Sequence, residues 1–173
     1  MIMSLARAGF VALAGALLSG GSAMAQPANA GCTSAPAMLG PQVLRCENAI
    51  TIVAESGARF ELRDRNRDGQ VDSVELSSKA LLVDVPKKGR LRFNVVTPQA
   101  IAAVRGTKWA VDAEGAKTSV FVVNGRVSVA RVAGRGGVVL GPGEGVDVEP
   151  AGALVVKRWG APRVAALMAR LGQ

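Results

Sequence analysis

The chain has 173 residues, 21 Lys and Arg against 13 Asp and Glu, a net charge of +8, 49 % hydrophobic residues and no His or Tyr. That length suits one modest domain, and the missing His removes Ser-His-Asp and Cys-His catalysis, His-ligated metal sites and a His general base. Val and Ala dominate the apolar residues while aromatics make up only 3 %, a balance that argues against disorder and predicts a β-rich core of small, branched side chains.

Residues 1–25 read as a signal peptide. Arg7 gives a weakly positive start, Ala8 to Leu18 is an apolar run broken by Gly9 and Gly15, and Ala23-Met24-Ala25 has the small-x-small pattern of a signal-peptidase site. Cleavage near Ala25 predicts a periplasmic or secreted protein starting at Gln26. The alternative is an uncleaved anchor, but eleven residues from Ala8 to Leu18 fall short of the roughly 20 that span a bilayer. Lipid attachment at Cys32, after Ala30-Gly31, is a further alternative that Asn29 weakens. Removing residues 1–25 takes away Arg7 and no acid, leaving 20 bases against 13 acids. Cys32 and Cys46 are the only cysteines. In an oxidising compartment they are expected to bond to each other and tie a Pro-rich segment, residues 26–48 with Pro27, Pro36 and Pro41, to the domain.

From Ala49 to Arg158 the chain reads as about a dozen short strands: an antiparallel sandwich or a short solenoid-like β-domain. Ile50, Ile52 and Ala54 alternate, break at Ser56-Gly57 and resume with Phe60 and Leu62, which predicts a hairpin. Next comes Asp64-x-Asn66-x-Asp68-Gly69-x-x-Asp72-x-x-Glu75, the twelve-residue spacing of a calcium loop. The side chains of Asp64, Asn66, Asp68 and Asp72, the Gln70 carbonyl and a bidentate Glu75 could supply its oxygens. The flanks are strand-like, so the competing reading is a polar turn in which Arg63, Arg65 and Arg67 neutralise the acids.

Lys79 to Val85 and Leu91 to Thr97 form the next expected strand pair, around Pro86 and Gly89. The bases Lys87, Lys88, Arg90 and Arg92 cluster there. They read first as a solvated turn, and as a patch for anionic lipid, cell-wall polymer or an acidic partner in the functional alternative. No aromatic platform accompanies them, which argues against nucleic acid. Ala100 to Val104 and Thr107 to Asp112 bracket Gly106, while Ser119 to Val123 and Arg126 to Val132 flank Asn124-Gly125, the dipeptide of a type I′ hairpin. Val138 to Leu140, Gly145 to Val148 and Ala153 to Lys157 continue the strands. Residues 159–173 change period: Pro162, then Val164, Leu167, Met168 and Leu171, predict a short helix packed back on the domain with Trp159 as a plug.

Thr97-Pro98, Ala102 to Arg105 and Gly106-Thr107-Lys108-Trp109-Ala110-Val111 together resemble the core signature of the FecR domain family. Thr118-x-Val120-x-Val122-x-x-Gly125-x-Val127-x-Val129 and Leu140-x-x-Gly143-Glu144 extend the resemblance over roughly residues 93–148. The matching residues are structural by type, and no catalytic residue comes with them. The resemblance implies a β-domain at residues 49–158 and a link to regulators whose cytoplasmic part controls a sigma factor and whose periplasmic part reads an outer-membrane transporter. This chain departs from that plan, with no cytoplasmic segment expected before its apolar run and no second apolar stretch of spanning length. The leading expectation is therefore a noncatalytic periplasmic module, a sensor or adapter that binds another envelope protein. The alternative is a calcium-stabilised envelope structural or glycan-binding protein. An enzyme built on acids such as Asp112, Glu114, Glu144, Asp147 or Glu149 comes last, because sequence spacing sets no two of them across a scissile bond.

Overall fold

The computed structural model describes residues 31–34, 40–87, 92–134 and 136–173. The signal peptide, its cleavage site, Pro27, Pro36, Lys88 and Arg90 lie outside the described residues. In chain order the strands are β1 (Cys32–Ser34), β2 (Gln42–Cys46), β3 (Thr51–Ala54), β4 (Arg59–Arg63), β5 (Ser73–Asp84), β6 (Phe93–Val96), β7 (Ala100–Val104), β8 (Lys108–Glu114), β9 (Lys117–Asn124), β10 (Val127–Arg131), β11 (Gly137–Leu140), β12 (Glu144–Val148) and β13 (Lys157–Arg158), and one helix, α1 (Ala161–Arg170), follows.

These strands form a continuous sheet that doubles over into two layers. The first layer runs β1-β2-β3-β5-β8-β9-β12-β13 and the second β4-β5-β6-β7-β10-β11. β5 belongs to both. Its residues Ser73 to Ser78 pair with β4, whereas Lys79 to Asp84 pair with β8. The bend falls at Lys79, whose φ of 66° is a left-handed value that costs a side-chain-bearing residue energy. The Lys79 ammonium holds the bend by donating to the Ser56 carbonyl at 2.6 Å.

One core cluster fills the space between the layers, with Phe93, Val95, Val127 and Val129 facing Trp109, Val111, Val120 and Val122. Phe93 meets Trp109 edge-on at 6.2 Å between ring centroids, a favoured aromatic geometry. A second cluster lies on the outer face of the first layer, where Ala80, Leu82, Ala110 and Phe121 meet Leu167 and Leu171. Both faces of β8 and β9 are therefore buried, and their sequences read as continuous apolar runs rather than alternations. Cys32 and Cys46 stand opposite each other in the β1–β2 register and are disulfide-bonded. The Cys32 sulfur is therefore not open to lipid attachment.

Three expected pairings differ. β3 and β4 do not form a hairpin, since β3 pairs with β2 and β5 while β4 pairs with β5 alone. β6 does pair with β5, but in parallel and through Ser73 to Glu75 rather than the Lys79 to Val85 half. Asn124-Gly125 is a crossing between layers, because β9 pairs with β8 and β12 while β10 pairs with β7 and β11. Only Gly125 of the two has a positive φ, 92°, whereas a type I′ turn needs both. The valines on either side of it face each other across the core instead of lining one face of a ribbon.

Candidate functional site

Helix α1 is fixed to the first layer by packing and charge. Gly160 caps it, Pro162 lies in its first turn, and Leu167 and Leu171 insert over Ala80, Leu82 and Ala110. Trp159 stacks on Phe121 with 5.1 Å between ring centroids. It also lies flat on Gly145, where a Cβ would come within 2.4 Å of the indole. Arg163 sits 3.5 Å above the Trp159 ring and pairs with Asp147, while Ser119 donates to that same carboxylate at 2.6 Å. Arg170 forks between Asp112, at 2.6 and 3.0 Å, and Glu55, at 2.6 and 3.1 Å.

The titration of these acids follows. Partial burial pushes Glu55 up, but the Arg170 hydrogen bond and the Ala80 amide outweigh it and hold the carboxyl below its ordinary value. Burial likewise raises Asp147, and Arg163 and Ser119 more than reverse it. Arg170 is driven further up by Asp112 and Glu55. A groove of about 280 Å³ beside the helix is lined by Asp112, Glu114, Asp147 and Lys117 among others. Two of the three acids there are committed to arginines, so they anchor the helix.

The Asp64 to Asp72 loop closes on itself. The Asp64 carboxylate accepts the amides of Asp68 (3.2 Å) and Gly69 (2.8 Å), and the Asp68 carboxylate accepts the Gln70 amide (2.9 Å) and the Asn66 side-chain amide (2.9 Å). Asp72 accepts the Arg65 amide through Oδ2, whereas its buried Oδ1 has no partner. Glu75 is not part of this constellation: it lies on β5 and pairs with Arg63 at 2.9 Å, and that hydrogen bond lowers its carboxyl pKa. Among the described residues no three acidic, Cys or His side chains gather as a metal-binding group. Of the basic cluster, Lys87 and Arg92 are exposed, and Arg92 shares a hollow with Asn66, Asp68, Gln70 and Asp72.

The motif residues build the crossings and turns. Thr97 Oγ1 accepts the Ala100 amide at 2.9 Å and bonds the Thr118 hydroxyl at 2.8 Å, which closes the β6–β7 turn around exposed Pro98. Gly106 has φ 64°, and a Cβ there would lie 2.9 Å from Lys87 Cα. Thr107 donates to the Arg126 carbonyl at 3.0 Å, bracing one crossing against the next. Trp109 and Val111 are fully buried. The Gly143 amide donates to the Val122 carbonyl at 2.8 Å, and the Gly141 amide donates to Glu144 at 2.7 Å. Residues 43–128 match the family model described as FecR protein. The chain carries a FecR domain. The match starts at residue 43, well before the signature residues, and ends at 128, so Gly143 and Glu144 of the expected signature lie beyond it.

Two crystal structures from Parabacteroides distasonis, each of a candidate anti-sigma factor, share the fold. One has a TM-score of 0.62 at 22 % identity and the other 0.61 at 20 %, each over 79 % of this chain. The chain spans 64 % of the length of those proteins. No curated protein matches the chain.

The outer face of the second layer differs from that of the first. Strand register sets Val96, Ile101, Ala130 and Gly137 in one row across β6, β7, β10 and β11, and Asn94, Ala103, Ser128 and Val139 in the next. Neither row holds a charge across these four strands, whereas on β5 and β4 the first continues into Glu75 and Glu61 and the second into Ser73 and Arg63. Ile101 is 38 % and Val139 59 % exposed, and among the described strands β11 pairs only with β10. Sequence reading missed this face because it depends on which strands neighbour each other. Among the described residues no helix is long and apolar enough to cross a membrane.

Proposed function

We propose that the FecR domain of this chain is a noncatalytic, protein-binding regulatory module of the cell envelope, exported by its signal peptide. Its partner is another envelope protein, engaged through the open face of the second layer and the free edge of β11. The observation that carries this reading is the uncharged surface around Ile101 and Val139, which ends in an unpaired strand edge. Such an edge offers main-chain hydrogen bonds to an added strand, with alternate side chains available for specificity. The candidate anti-sigma factors that share the fold favour a signalling role. The paired substitution Ile101→Glu with Val139→Glu tests it: the folded variant should lose a partner captured by crosslinking in envelope extract. Capture at wild-type level by the folded variant would refute the surface.

A second reading, a calcium-stabilised envelope structural or glycan-binding protein, draws on the unpartnered Asp72 Oδ1 beside Asn66, Asp68 and Gln70. It predicts a higher melting temperature in calcium than in chelator. Equal melting and no heat on titration would remove it.

A further inference from the structure

One end of the sandwich collects cations that the sequence scatters over more than seventy positions. β7 neighbours β10 in the second layer while β8 neighbours β9 in the first, so the crossing at Arg105 to Thr107 lies beside the crossing at Gly125-Arg126. The β5–β8 and β6–β7 pairings bring the segment holding Lys87 to one side of this pair. The β9–β12 and β10–β11 pairings bring Gly141 to Gly143 to the other. Successive crossings are thus about one strand spacing, roughly 4.8 Å, apart.

Contacts tie the row together. A Cβ on Gly106 would lie 2.9 Å from Lys87 Cα, one on Gly125 would lie 2.7 Å from Thr107 Oγ1, and one on Gly143 would lie 2.8 Å from the Arg158 guanidinium. Lys87, Arg105, Arg126 and Arg158 are exposed and Lys108 is half-buried. Among the described residues none of the five makes an ion pair; those pairs use Arg63, Arg163 and Arg170. Of the acids at this end, Asp84 lies opposite Lys108, Glu144 lies opposite Arg158 and accepts the Gly141 amide, Asp68 and Asp72 share a hollow with Arg92, and Glu47 is exposed. The five cations stand on successive crossings and on β13 rather than around one hollow, an arrangement suited to an extended anionic layer rather than one small anion.

The described chain also begins here. Cys32 stands opposite Cys46, beside the Arg45–Thr51 and Thr51–Asp84 pairs, and the Glu47 amide donates to the Gly31 carbonyl at 2.9 Å. We propose that this end docks on anionic phospholipid headgroups through Lys87, Arg105, Lys108, Arg126 and Arg158. The proposal is independent of the protein-binding face, which lies on the outer side of the second layer.

The test is co-sedimentation of the protein as recovered from cells with vesicles of phosphatidylglycerol and phosphatidylcholine in equal parts. Measurements at about 0.1 M and about 1 M salt take the Debye length from about 10 Å to about 3 Å. Binding should fall sharply at high salt and be absent on pure phosphatidylcholine. Arg105→Gln with Arg126→Gln should weaken it about 30-fold, from two bases at about 1 kcal/mol each, with an unchanged melting temperature. Lys87→Gln with Arg158→Gln provides a second pair should the first fail to fold. Salt-insensitive binding shared by wild type and variants would show that the leader drives it, and would overturn the proposal. Binding to polyglutamate without binding to the vesicles would overturn it in favour of an acidic protein surface.

Discussion

Replacing Arg170 with Ala removes the charge that holds the last turn of α1 to the sheet. Glu55 and Asp112 have side chains only 15 % and 11 % exposed, while Arg170 is 38 % exposed. Exposed pairs contribute about 0.2–1 kcal/mol, whereas breaking a buried pair costs about 3–5 kcal/mol. The variant leaves two nearly buried carboxylates without their cation, so about 2 kcal/mol is expected. For a domain of this size that is a fall in melting temperature of about 4–8 °C. The effect depends on pH with a defined sign. Glu55 titrates below its ordinary value of 4.5 in the folded chain because of Arg170. The stabilisation is therefore fully present above that value and is lost as pH falls through the folded pKa. Thermal melts of both proteins at about pH 7 and about pH 3 should show the gap between them narrowing in acid. A cost under about 0.5 kcal/mol near neutrality, the range of an ordinary surface change, or a gap that does not respond to pH, would refute the reasoning.

Three further outcomes follow from the same packing. Cys32→Ser with Cys46→Ser opens a loop with a sequence separation of 14 and should cost about 3 kcal/mol in denaturant melts, by the loss of chain-entropy restriction. Gly145→Ala drives a Cβ into the Trp159 indole and within 2.7 Å of the Val120 carbonyl. It should cost about 1–3 kcal/mol and shift the fluorescence of Trp159 toward that of a solvated indole. Gly106→Ala meets both a left-handed φ and the Lys87 backbone, so it should destabilise by at least about 1–2 kcal/mol, read as a lower denaturation midpoint without loss of the disulfide.

What the sequence revealed and what it hid divide along physical lines. Periodicity reports which side of a strand is buried, and it placed the strands, the Val164, Leu167, Met168 and Leu171 stripe of the helix, and the inward valines at 120, 122, 127 and 129. It does not report which strand lies next to which. Asn124-Gly125 therefore read as a hairpin, since valines on one face of a ribbon and valines facing each other across two layers leave the same pattern. Cysteine count and the expectation of export were enough to foresee the Cys32–Cys46 bond. The Asp64 to Glu75 spacing carried no information on Glu75 being taken by Arg63 on the neighbouring strand. Clustering of Lys87 with Arg105 and Arg126 was invisible for the same reason, because it arises only from the stacking of crossings.

The central claim is that the FecR domain binds another envelope protein through its open second layer. It is tested most directly by crosslinking capture from whole envelope extract, run with calcium and with chelator, using wild type and the Ile101→Glu, Val139→Glu protein side by side. The account predicts one specific protein recovered by wild type under both conditions and lost in the variant. Recovery that is equal in the folded variant, or no protein at all together with earlier melting in chelator, would contradict it.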